Sequence, residues 1–314
     1  MISNRFAILL FACASLGAVV VGSIVIAAGN ATRGFWLRDL IAWVAGALLA
    51  TAIVRLGFST TLKLTLLLCL TGAGLLFSLI NHGSMGVHRW LDLGPLHINV
   101  ASLLLPALLV LLANGLGTKL ATGLAAGVVV VLCLQPDASQ ASAFACAFVI
   151  LQRPPNTRSM VQRLALAAIL FCAAVSWARP NPLPAISEVE GVVGLAWHYS
   201  PVIAFVGIAC LVMTAISPLL LTMSEPNIRT AGFALTTYFS LTAIAPIIGA
   251  YPVPLMGAGM SAIAGFWLGF GCLLDLHRKN LAAIYARQLV GANRASHGAA
   301  PDRMDIAIGC PGQV

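Results

Sequence analysis

Ten stretches of this chain are too apolar and too long to be packed inside a water-soluble globule. They run over about 6–28, 36–56, 60–81, 98–114, 117–134, 138–152, 161–179, 200–222, 229–250 and 254–276. A helix needs about 20 apolar residues to cross the hydrocarbon layer, and every run except 138–152 comes close to that length. Only 8% of the 314 residues are charged, against about 25% in soluble domains, so polar side chains cannot cover the outer surface. Strands of a membrane barrel would alternate polar and apolar residues over about 10 positions, and Leu103 to Leu112 shows no alternation. The sequence therefore predicts an all-α polytopic membrane protein with about ten transmembrane helices. Residues 1–276 form one helical membrane domain, and residues 277–314 read as a polar cytoplasmic tail, amphipathic to about Gly291 and disordered beyond it.

The first run carries some marks of a signal peptide, with Arg5 ahead of it and small residues from Ala27 to Ala31 behind. An apolar signal core spans only about 7–15 residues, so Phe6 to Ala28 is expected to be a retained first helix. The eight cysteines include no Cys-x-x-Cys pair and fall almost entirely in apolar runs. That excludes a zinc ribbon or a disulfide framework and suits small packing residues.

Ten spans put both termini on one side. If that side is the cytoplasm, 13 of the 17 Lys and Arg face inward, and only Arg33, Arg38, Arg89 and Arg179 face outward. This is the bias of the positive-inside rule, and an odd number of spans would mix the two sets. The net charge of +8 thus reports orientation and contact with anionic lipid, not nucleic acid. A bacterial inner membrane with both termini cytoplasmic is the expected location. The outer face holds Asp92, Asp137, Glu188, Glu190 and four of the six histidines, with long loops over 81–99 and 179–199. The histidines lack metal-ligand spacing and read as surface residues.

Three outer patches occur in order: Gly86-Val87-His88-Arg89-Trp90-Leu91-Asp92-Leu93-Gly94-Pro95-Leu96-His97-Ile98-Asn99, then Leu134-Gln135-Pro136-Asp137-Ala138-Ser139-Gln140-Ala141, then Gly249-Ala250-Tyr251-Pro252-Val253-Pro254 running on to Ser261. Together they resemble the SEDS family (shape, elongation, division and sporulation), typified by FtsW, RodA and SpoVE. Its members carry a Gly-x-x-Arg-Trp-x-x-Leu-Gly-Pro loop, a Gln-Pro-Asp-x-Gly-Thr-Ala junction and a Gly-x-Pro-x-Pro-Phe-x-Ser-x-Gly-Gly-Ser opening to the last helix.

The resemblance implies polymerisation of peptidoglycan glycan strands from lipid II, or binding of another polyprenyl-diphosphate-linked precursor, at the outer face of the inner membrane. It implies a class B penicillin-binding protein as partner, in cell division or shape control. Such chemistry needs a base for the attacking hydroxyl and donors for the leaving diphosphate. By this resemblance Asp137 and Glu188 are the candidate catalytic carboxylates. Arg89, Trp90, Gln135 and Ser261 are the candidate substrate-binding residues, with Arg89 matched to phosphate oxygens. A divalent cation is compatible with a diphosphate substrate, but no cluster with ligand spacing specifies a metal, and no other cofactor is expected.

The departures keep other readings open. Where the family follows the Arg-Trp loop with Gln-Pro-Ser-Glu and a Lys three residues on, this chain has Asn99-Val100-Ala101-Ser102 and Leu105. The family's large outer loop ends in Thr-Asp-Phe; here it is short, and Ser187-Glu188-Val189-Glu190-Gly191 stands near the place. One alternative is a non-catalytic member that binds lipid-linked precursor or a penicillin-binding protein. Another is a transporter of the precursor, because helices broken by Pro and Gly also mark transport sites. Arg89 and Trp90 also suit an interfacial anchor, and Asp137 suits a helix cap. Gly123-x-x-x-Gly127 and Gly265-x-x-x-Gly269 suit close helix packing.

Overall fold

A computed structural model describes residues 4–29, 34–57, 59–81, 83, 85–94, 96–115, 117–152, 158–179, 181–221 and 226–298. The chain is an all-α polytopic membrane protein with one short hairpin. Its elements are α1 (Asn4–Ala28), α2 (Phe35–Arg55), α3 (Thr60–Ile80), β1 (Trp90–Leu93), β2 (Leu96–Asn99), α4 (Val100–Gly115), α5 (Thr118–Leu134), α6 (Ala138–Leu151), α7 (Met160–Ala178), α8 (Val192–Tyr199), α9 (Pro201–Ile216), α10 (Pro226–Ile248) and α11 (Met260–Gly298). A 3-10 turn, Ser217–Leu221, prolongs α9.

Among the described residues, seven helices are long and apolar enough to cross a membrane: α1, α2, α3, α7, α9 with its 3-10 turn, α10 and α11. The other three apolar helices, α4, α5 and α6, are shorter. At about 1.5 Å per residue, the 16 residues of α4 rise about 24 Å, less than the roughly 30 Å of hydrocarbon. Their setting accounts for the difference. α4 buries every side chain from Leu105 to Leu112, and α6 buries both Phe144 and Phe148 completely. A helix apolar on every side belongs in the interior, where neighbouring helices rather than lipid set the required length.

The peripheral helices show the complementary pattern. On α2, Leu37, Ile41, Val44 and Leu48 recur at helical spacing and all are exposed, as a lipid-facing stripe must be. α11 is the most enclosed of the long helices. Its Phe270 stacks on Phe11 of α1 at 4.1 Å, and Trp267 meets the edges of Phe11 at 4.9 Å and Trp43 of α2 at 5.3 Å. Its Phe266 stacks on Phe239 of α10 at 3.7 Å. Gly265 and Gly269 bring α11 against α4: a Cβ on Gly265 would collide with the backbone of Ser102 and Leu103, and one on Gly269 would lie 2.7 Å from Pro106 Cβ. The Gly123 and Gly127 pair of α5 faces open space instead.

Three local features depart from the sequence reading. The segment 81–99 is not simply a loop: β1 and β2 pair antiparallel, with Trp90 opposite Asn99 and Asp92 opposite His97. The hairpin turns at Gly94, whose φ of 62° suits a residue without Cβ. The last apolar run begins at 254, but α11 begins at Met260. Pro252 and Pro254 remove backbone donors, and Leu255 takes a left-handed φ of 66°, so the run starts as irregular chain. In the tail, α11 continues past Gly291 to Gly298. The chain divides at residue 276, with 1–276 as one compact unit and a second beginning at His277; the stretch 299–314, and His82, lie outside the described residues.

Candidate functional site

Alternate helix ends converge at the hairpin end of the bundle, and hydrogen bonds tie the connecting segments together. Val253 N–H donates to Val189 O at 3.1 Å, and Ala258 N–H donates to Glu188 O at 3.0 Å. The Asn181 amide donates to Ala250 O at 3.0 Å, and Arg179 donates to Cys133 O at 2.8 Å. The segment between α7 and α9 is thereby laid over the opening of α11. Beneath these bonds lie two adjoining cavities, one small and inner, one large and outer.

The inner cavity has a volume of about 30 Å³, room for a water molecule or two. Arg89, Asn99, Asp137, Gln140, Tyr238 and Thr242 contribute to its wall. Arg89 is 4% exposed; it donates to Pro136 O, and its guanidinium lies 5.0 Å from the Tyr251 ring centroid. Its Nε is buried without a partner. Burial raises the Tyr251 hydroxyl above the ordinary tyrosine pKa, with the nearby Arg89 charge opposing the rise. Asp137 caps α6 by accepting Gln140 N–H at 3.3 Å, and its other oxygen stands 3.5 Å from the Asn99 amide nitrogen. Asn99 in turn caps α4, accepting Ser102 N–H at 2.9 Å, while its own N–H donates to Ser261 Oγ at 2.9 Å. Gln140 donates to Ser102 Oγ at 3.0 Å and accepts from Tyr238 Oη.

The outer cavity, about 460 Å³, shares Trp90, Asn99 and Ser102 with the inner one. His97, Glu190 and Ser261 also line it, together with the Gly257–Gly259 turn before α11. Glu190 accepts the Ile186 N–H at 2.8 Å and so closes its own turn.

The structure brings Arg89, Trp90 and Asp137 to the inner cavity, and Trp90 and Ser261 to the outer one. Gln135 lines neither cavity; its amide donates to Leu75 O at 3.0 Å and Ser78 Oγ at 2.6 Å, fastening α3 to the C-terminal end of α5. Glu188 also lines neither, and its neighbour Glu190 takes the place at the outer wall. Among the described residues, no group of three His, Cys, Asp or Glu could hold a metal ion. Four participants are additional to the sequence reading: Asn99, Gln140, Tyr238 and Asp39. Asp39 is 3% exposed on α2, and its carboxylate accepts the backbone N–H of Gly259 beside the start of α11. A lone carboxylate inside an apolar run is a functional or structural flag in any membrane chain, and that signal was present in the sequence.

No protein-family model matches the chain, and no curated protein matches it. The fold does match solved structures. The Thermus thermophilus rod shape determining protein RodA superposes with a TM-score of 0.60 at 19% identity, covering 88% of this chain and 97% of that one. A mutant form of that RodA gives 0.59 at 19% identity, over 88% and 98%. A chain of a peptidoglycan synthase complex that couples polymerization and crosslinking gives 0.58 at 20% identity, again over 88% and 98%. At this identity the likeness establishes a shared fold with RodA.

Proposed function

We propose that this chain binds a polyprenyl-diphosphate-linked sugar precursor of the cell wall and transfers its glycosyl group at the outer face of a bacterial inner membrane. The carrying observation is that all three motif segments meet in the walls of two adjoining cavities: Trp90 and Asn99 from the first, Asp137 and Gln140 from the second, Pro252 and Ser261 from the third. The RodA-like fold over 88% of the chain supports the same reading.

On this reading α4, α5 and α6 complete ten crossings, and both termini lie in the cytoplasm. The precursor's sugars occupy the outer cavity. Its diphosphate sits against the first turn of α11, where the helix dipole favours an anion. A class B penicillin-binding protein is the proposed partner.

A second reading has its own support. Where the family pattern carries the Lys of its Glu–Lys pair, this chain has Leu105, fully buried on α4. That favours a member that binds precursor or partner without turnover. Purified full-length protein, incubated with lipid II alone and with a transpeptidase partner, separates the two. Glycan polymer is the expected product; precursor binding without polymer in either condition would support the second reading.

A further inference from the structure

The hairpin carries a side-chain pair that none of the roles above uses. Asp92 and His97 stand opposite one another across β1 and β2, and His97 Nδ1 lies 2.5 Å from Asp92 Oδ1. The second oxygen of Asp92 is approached by the Asn81 amide at 3.5 Å, so the carboxylate is held from both sides. A carboxylate on Nδ1 fixes that nitrogen as the protonated one, which leaves the Nε2 lone pair of the neutral ring free to accept. His97 lines the outer cavity of about 460 Å³.

The carboxylates nearby are less suited to take a proton there. Asp137 opens on a space of about 30 Å³, too small for a sugar ring, and both its oxygens already face donors. Glu190 lines the outer cavity but is engaged by the Ile186 N–H. Glu188 is absent from the cavity wall. Among the described residues His97 is the basic side chain on that wall, and histidine is the residue most often used for proton transfer near neutral pH.

We propose that His97, oriented by Asp92, is the general base of the outer cavity. The proposal rests on the reading of that cavity as a glycosyl-transfer site. Nε2 removes the proton from the acceptor sugar's hydroxyl as its oxygen bonds to the anomeric carbon of the donor. The bond from that carbon to the diphosphate oxygen breaks, and its electron pair leaves with the diphosphate. The imidazolium, stabilised by Asp92, then releases its proton to water and the neutral ring is restored.

The test uses the full chain with a polyprenyl-diphosphate-linked disaccharide, measuring turnover, precursor binding and thermal stability. His97→Ala is expected to lower turnover by about 10²–10⁴-fold while leaving binding and stability near the parent. Added imidazole is expected to restore part of the loss. Asp92→Asn is expected to reduce turnover without imidazole rescue, because the ring remains but its orientation is lost. Turnover of His97→Ala within about threefold of the parent overturns the dyad. So does a loss that tracks precursor binding or stability and ignores imidazole, which would make the pair a brace of the hairpin. No turnover by the parent overturns the glycosyl-transfer reading and the dyad with it, whereas parental turnover that survives His97→Ala overturns the dyad alone.

Discussion

Arg89 presents a choice between clamp and ligand contact, and its surroundings supply the magnitudes. The side chain is 4% exposed and donates to Pro136 O. A hydrogen bond from a charged group contributes about 1.5–3 kcal/mol. The guanidinium also lies 5.0 Å from the Tyr251 ring centroid, and a desolvated cation–π contact adds about 2 kcal/mol. Arg89→Met should therefore lower unfolding stability by about 3–5 kcal/mol. Arg89→Lys should lose about half of that, since an ammonium reaches one acceptor but lacks the planar stack. Reversible denaturation in detergent measures both, and precursor binding is read on the folded fraction. A clamp leaves that binding within a few-fold of the parent. If Arg89→Met keeps its stability within about 1 kcal/mol and loses precursor affinity, the clamp argument fails and the guanidinium belongs to the diphosphate.

Other outcomes follow from the same structure. Lys63 and Asp275 form a buried ion pair at 2.7 Å between α3 and α11; Lys63→Met removes the cation facing a buried carboxylate and should destabilise by about 3–5 kcal/mol, and adding Asp275→Leu should recover part of the loss. A double-mutant cycle by detergent denaturation checks this, and additive losses would refute the coupling. Tyr238→Phe removes the donor to the buried Gln140 carbonyl and should lower stability by about 1–3 kcal/mol; an unchanged melting curve would count against the network. Reporter fusions at Gly291 and Asn181 should read cytoplasmic and periplasmic respectively, and a periplasmic signal at Gly291 would reverse the proposed orientation.

The bundle was legible because each apolar run must bury or face lipid along its whole length, so α1 to α7 begin and end within a few residues of the sequence limits. The hairpin was legible in principle: Trp90-Leu91-Asp92-Leu93 and Leu96-His97-Ile98-Asn99 flank Gly94-Pro95, two short alternating runs about a turn. At four residues each, the two strands are too short to stand out beside the long apolar helices. The start of α11 was misplaced because hydropathy counts Val253 and Leu255 as helix formers, while Pro252 and Pro254 decide the backbone. Glu188 and Glu190 lie two residues apart, and only the hydrogen bonds of 186–191 determine which one reaches the cavity wall. Tyr238 had no local signal at all, since its role depends on Gln140, 98 residues away.

The inner network explains why a site of this kind needs so many polar residues that a sugar cannot reach. Within a bilayer an unpaired polar group has no water to turn to, so each one introduced requires a partner from another element. Gln140 on α6 is satisfied by Ser102 of α4 and Tyr238 of α10, and Asn99 links the α4 cap to Asp137 and to Ser261 of α11. These bonds tie the starts of α4, α6 and α11 to one another and to the middle of α10. The same residues form the floor of the outer cavity, because Asn99 and Ser102 line both spaces. Removing one partner therefore strands a polar atom and loosens the floor together, so its effect on the outer cavity should exceed its distance from any ligand. A substitution of Ser102 by Ala, which frees one donor hydrogen of the Gln140 amide, tests that coupling. Weaker precursor binding at preserved fold supports it, and unchanged binding would mean that the floor is held by helix packing alone.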